Sequence, residues 1–102
     1  MAVATGLGIQ EIIGDKREQI LQLAEKHGAY NVRVIGPVAR GEAGPDDYVN
    51  LLVKWDMSRI TPWGGAGLDV EAGDLLGRMV IVTSENWIQF GREQVIAEAI
   101  QL

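Results

Sequence analysis

The chain contains no cysteine and only one histidine, His27. Disulfides and thiolate metal centres are therefore excluded, and no cluster of histidines can hold a metal. A reducing cytosol suits such a sequence. Long apolar runs are also missing: no stretch approaches the ~20 residues needed to span a membrane. The opening MAVATGLGIQEIIGDK lacks the basic flank and continuous apolar core of a secretory signal. Positive charge is scarce, with 9 Lys and Arg against 14 Asp and Glu, a net charge of −5. Phosphate backbones are repelled at that balance, so nonspecific nucleic-acid binding is not expected and a basic protein partner is favoured. The expectation is a soluble cytoplasmic protein that engages neither nucleic acid nor membrane.

With 47% hydrophobic and 23% charged residues over 102 positions, the composition is that of one globular domain. Residues 1–8, small and Gly-containing, are expected to form a flexible lead-in, and residues 9–102 the domain itself. Ile12 and Ile13 fit a short turn. Asp15 and Glu18 have the spacing of a capping box. Ile20, Leu23, Ala24 and His27 then follow at i, i+3, i+4 and i+7, one face of a helix that Gly28 ends. Placed there, His27 is expected to be a partner of the helix C-terminus rather than a ligand.

Val32 to Ile35 is a short β-branched run that reads as a strand, stopped by Gly36-Pro37. Pro37 suits the first position of a short helix running to Gly41. Glu42 to Asp47 has turn chemistry, with Asp46 and Asp47 following Pro45. A second strand covers Val49 to Trp55. Alternation puts Leu51 and Val53 on one face, and Tyr48, Asn50 and Leu52 on the other. Residues 56–67 form a Gly- and Pro-containing loop that carries Trp63, the best candidate for an exposed recognition aromatic. Leu68 to Leu76 is helical in pattern, with Asp69, Glu71 and Asp74 as caps or surface charges. Met79 to Val82 is apolar throughout and is expected to be a strand that is central or covered on both faces. Trp87 is expected near the core. A last helix spans Arg92 to Ile100, with Ile96, Ala99 and Ile100 as its buried stripe. The sum is an α/β or α+β domain, a small mixed sheet of about three strands flanked by helices.

Residues 36–53 read GPVARGEAGPDDYVNLLV. This segment resembles the minimal nucleotidyltransferases (MNT domains) of the DNA polymerase β superfamily. Their hallmark is Gly-Ser, a short helix ending Ala-Arg-Gly, a loop, and a strand carrying Asp-x-Asp. The similarity extends to HGAYNVRVIG before the motif, to LLGR and the strand after it, and to the closing REQVIAEAIQL. It implies the nucleotidyltransferase fold. In the family two Mg²⁺ ions clamp the attacking oxygen and the triphosphate. Mg²⁺ requires hard carboxylate oxygens. Two Asp at i and i+2 of a strand share a face about 7 Å apart and can share metals, with a third carboxylate from the next strand.

At each of those positions this chain departs from the family. Tyr48 stands for the first Asp, Asn50 for the second and Ile81 for the third. Pro37 replaces the Ser of the phosphate cradle and offers neither hydroxyl nor N–H. Gly36 and Arg40 are what remains of the nucleotide-binding set, and Arg40 also suits an ion pair that holds the short helix. No intact catalytic or metal site, and no bound cofactor, is expected.

The resemblance implies a binding role. Minimal nucleotidyltransferase domains commonly pair with a helical protein of the HEPN type, an RNase toxin in many pairs, and act as its antitoxin. Trp63 and Tyr48 are the candidate partner contacts. Two alternatives stand beside this pseudoenzyme reading. One is a working Mg²⁺-dependent enzyme that transfers AMP from ATP to a protein or small acceptor, its site rebuilt from Gly36, Arg40, Asp46 and Asp47. The other is a nucleotide sensor or a homo-oligomeric scaffold.

Overall fold

A computed structural model describes residues 6–59, 66–88 and 91–102. Trp63, Phe90 and the side chain of Trp87 lie outside what it describes, as do residues 1–5 of the expected lead-in and 60–65 of the expected loop. Among the described residues five α-helices and four strands follow along the chain: α1 (Ile9–Ile12), α2 (Arg17–Lys26), β1 (Ala29–Ile35), α3 (Pro37–Arg40), β2 (Val49–Trp55), α4 (Ala66–Leu76), β3 (Val80–Ser84), α5 (Arg92–Glu98) and β4 (Ile100–Gln101). The strands form one mixed sheet in the order β3-β2-β1-β4. β1 runs antiparallel to β2 and β4, whereas β2 and β3 are parallel. A parallel pair needs a crossover connection, and the segment containing α4 provides it.

α2 and α4 pack on the same side of the sheet and on each other. Ile20 and Ala24 of α2 and Leu68 and Ala72 of α4 meet Val34, Val49, Leu51, Val53 and Val80 in one core. Ile20, Val34, Val49, Leu51, Val53 and Leu68 are completely buried. Alternation puts the even-numbered residues of β2 on the opposite face.

Several expectations are corrected. Asp15 lies inside a 3₁₀ turn, Gly14–Lys16, and α2 begins at Arg17 without a side-chain cap. Glu18 meets Arg17 at 3.1 Å instead of closing a capping box. β3 is an edge strand, not a central one, and Ile81 and Met79 are exposed. Val80 is buried and Val82 packs against the core on the side where α4 contacts the strand. The last helix stops at Glu98, because Ala99 turns to extended backbone (φ −68°, ψ 138°). Ile100 therefore falls in β4, pairs with Val34 and is exposed rather than buried. That short strand brings the sheet from about three strands to four. Leu7, placed in the lead-in by the sequence, exchanges both backbone hydrogen bonds with Ala43 at 2.7 and 3.1 Å, which ties residues 6–8 to the domain.

Candidate functional site

The face of the sheet away from α2 and α4 carries the motif positions. The ladder sets Arg33 beside Leu52 and Leu52 beside Thr83; one step along, Ile35 lies beside Asn50 and Asn50 beside Ile81. Tyr48 precedes β2 by one residue and is 38% exposed. The three positions where the family resemblance puts carboxylates thus converge at one end of β2 and β3. They present a phenol, an amide and an aliphatic side chain.

Asn50 is already engaged. Thr83 Oγ1 donates to Asn50 Oδ1 at 2.8 Å. The amide oxygen of Asn50 is therefore already the acceptor of a neighbouring hydroxyl. Asp47, the nearest carboxylate in sequence, closes its own turn: the Gly44 N–H donates to Asp47 Oδ2 at 2.7 Å. Asp46 is exposed. Among the described residues no three His, Asp or Glu side chains gather closely enough to hold a metal. The Mg²⁺ pair that the family chemistry requires does not fit this set of donors.

The turn that leads into α3 depends on glycine. Gly36 has φ 78° and ψ −156°, a region essentially closed to residues with a Cβ. Space is not the constraint there, since an added Cβ would come no nearer than 4.0 Å to Asn50 Cβ. Pro37 occupies the first helical position of α3, where the absence of an N–H costs no helical hydrogen bond. Arg40 ends α3 and turns to carboxylates. Its Nε donates to Glu42 Oε2 at 3.0 Å, and its Nη1 lies 3.8 Å from Glu98 Oε2. Both partners are half exposed, so these pairs contribute little to stability.

Two groups that sequence reasoning missed shape the site. Arg78 Nη1 donates to the carbonyls of Gly44 and Asp47, at 3.2 and 2.7 Å, and so ties the loop before Tyr48 to the approach to β3. Farther along the same face Arg33 and Glu85 form a buried ion pair, Nη1 to Oε1 at 2.8 Å. Lys54 Nζ adds a contact to Glu85 Oε2 at 3.3 Å from a 40% exposed side chain. The hydrogen bond from Arg33 holds the Glu85 carboxyl below its ordinary value of 4.5, outweighing burial, which pushes the other way. Neither residue belongs to a local motif, and they lie 52 positions apart.

His27 follows α2 as its cap residue and is buried, its Nε2 3.4 Å from Glu71 Oε2. Lys26 Nζ donates to Glu71 Oε1 at 3.0 Å. This contact joins α2 to α4 on the core side, remote from Asn50 and Ile81. Among the described residues no helix is long and apolar enough to cross a membrane.

No family model matches the chain, and no curated protein matches it. The chain is, however, similar to a solved structure of a protein assigned to the minimal nucleotidyltransferases. The two sequences are 39% identical, the match covers 96% of this chain and 99% of that one, and the TM-score is 0.80.

Proposed function

This chain belongs to the minimal nucleotidyltransferases, and we propose that within that family it is a protein-binding module, catalytically impaired, that serves as the antitoxin partner of a HEPN-type helical protein. The observation that carries this reading is the triad of Tyr48, Asn50 and Ile81. Register pairing puts Asn50 directly beside Ile81, and no carboxylate stands at any of the three positions. Nucleotidyl transfer through two metal ions needs anionic oxygens there, because an uncharged set cannot neutralise two divalent cations. A scaffold kept while its metal ligands are gone suits recognition rather than chemistry. The net charge of −5 favours a basic partner.

Co-expression with the helical product of the adjacent gene tests the reading. The expected result is a complex that survives size-exclusion chromatography, and growth rescue when the partner alone is toxic. Alongside it, incubation of the purified chain with Mg²⁺ and α-labelled ATP is expected to transfer no label to the chain or to its partner. Failure of the two proteins to associate would remove the binding role. Transfer that EDTA abolishes, and that is lost in Asp47→Ala, would identify a working transferase with a rebuilt site.

A further inference from the structure

β3 closes one side of the sheet, and among the described residues no strand pairs with its outer edge. The phase of its ladder is set by the Val49 N–H, which donates to the Met79 carbonyl at 2.9 Å, and by the pairing of Val49 with Val80. In a parallel ladder of that phase the backbone groups of Ile81 and Thr83 turn toward β2, and those of Val82 and Ser84 turn outward. Natural edges are commonly blunted by lysine, proline or a bulge. Residues 79–84, MVIVTS, carry no charge, proline or glycine.

At the start of this edge, α4 and β3 flank an open cleft of about 380 Å³. Val70 and Met79 line it and are among the most exposed apolar side chains of the protein, at 61% and 71%. Asp69 and Asp74 line it as well. Arg78 also reaches the cleft, but its Nη1 is committed to the carbonyls of Gly44 and Asp47. Aliphatic walls with two carboxylates match the methylene stem and cationic head of a lysine or arginine.

We infer that the β3 edge and this cleft together receive an extended segment of a partner protein, which adds as a fifth strand and places a lysine or arginine between Asp69 and Asp74. The inference rests on the binding-module reading for the nature of its ligand. Charge decides against a second copy of this chain as the occupant. A β3 strand brings no cation to the cleft, and each copy carries a net charge of −5. Backbone pairing supplies affinity in such an addition, and the pockets for alternate side chains supply selectivity.

The test uses the ¹⁵N-labelled chain and two short synthetic peptides, one alternating lysine with valine and one alternating glutamate with valine. The lysine peptide is expected to bind saturably and to slow amide exchange at Val82 and Ser84 by about tenfold or more. Its affinity is expected to fall at least about fivefold in Asp69→Asn/Asp74→Asn, and again as salt is raised. Val82→Pro removes one outward N–H at an edge position and is expected to weaken binding more than Val82→Ala, which loses the same side-chain contact with the core but keeps the N–H. The proposal is overturned if the lysine peptide does not bind, if the two peptides bind equally, or if exchange at Val82 and Ser84 is unchanged. A complex with the helical partner that forms while the peptide fails would leave the binding role standing and remove only this surface.

Discussion

Asn50 and Ile81 are direct cross-strand partners in the parallel ladder between β2 and β3. Two residues from separate strands, 31 positions apart in a 102-residue chain, are thereby held side by side at the place where the family resemblance calls for metal ligands. The register brings the two positions together, and neither side chain is a carboxylate.

Restoring the chemistry should therefore restore metal binding. In Tyr48→Asp/Asn50→Asp/Ile81→Asp three carboxylates share one face. Without metal they repel one another, and stability is expected to drop by about 1–3 kcal/mol. Millimolar Mg²⁺ should recover most of that loss. Calorimetric titration with Mg²⁺ is expected to give heat for the triple variant and none for the parent. A triple variant that ignores Mg²⁺ would contradict the convergence of these three positions.

The Arg33–Glu85 pair yields a stability prediction. Glu85→Ala leaves a buried guanidinium without its partner, which costs about 3 kcal/mol. Lys54→Ala removes only the 40% exposed member of the cluster and is expected to cost under about 1 kcal/mol. Urea unfolding of the two variants distinguishes these outcomes, and equal losses would mean that Arg33 is satisfied by some other group.

The same pair sets a pH dependence. Glu85 titrates below its ordinary 4.5 in the folded chain, so its contribution to stability is fully present above that value and is lost as pH falls through the depressed folded value. The thermal midpoint should decline as the solution is taken from pH 5 downward. In Glu85→Gln the midpoint is lower at neutral pH and its decline shallower. Parallel slopes for parent and variant would assign the acid sensitivity to other carboxylates.

Gly67 offers a test of packing. A Cβ there would lie 2.8 Å from His27 Cε1, too close for either group to stay in place. Gly→Ala in a helix ordinarily gains about 1 kcal/mol from propensity. Overpacking against a buried ring costs about 1–3 kcal/mol. Gly67→Ala is therefore expected to destabilise the parent yet stabilise the His27→Ala background. Stabilisation in both would show that the ring moves aside freely.

Much of the fold was legible in the sequence because its determinants are local. A β-branched run marked β1, alternation marked β2, helical spacing marked α2 and α4, and the Gly36 to Val53 spacing carried the family resemblance that the solved relative supports. What failed depended on partners. The apolar run of β3 looks the same in a central strand as in an edge strand with one covered face, and only the strand order separates them. The end of α5 turned on the backbone of Ala99, for which composition gives no signal, and β4 is too short to show a period. The capping box at Asp15 had the right spacing, but a 3₁₀ turn occupies that segment. Of the site, the sequence shows directly that Tyr48, Asn50 and Ile81 are not carboxylates. The Thr83 hydroxyl that engages Asn50, and the Arg33–Glu85 pair, are long-range contacts that no local pattern announces.

The most direct test of the proposed impairment is the thermal midpoint of the purified chain with and without Mg²⁺ and each nucleoside triphosphate. At ~10 mM ligand, a site with a dissociation constant of ~100 μM adds about 2.7 kcal/mol of stability. In a domain of this size that is a rise of roughly 10–20 °C. With Tyr48, Asn50 and Ile81 in place of carboxylates, no Mg²⁺-dependent rise is expected for any nucleotide. A rise of that size that requires Mg²⁺ would contradict the account and identify an intact nucleotidyltransferase site.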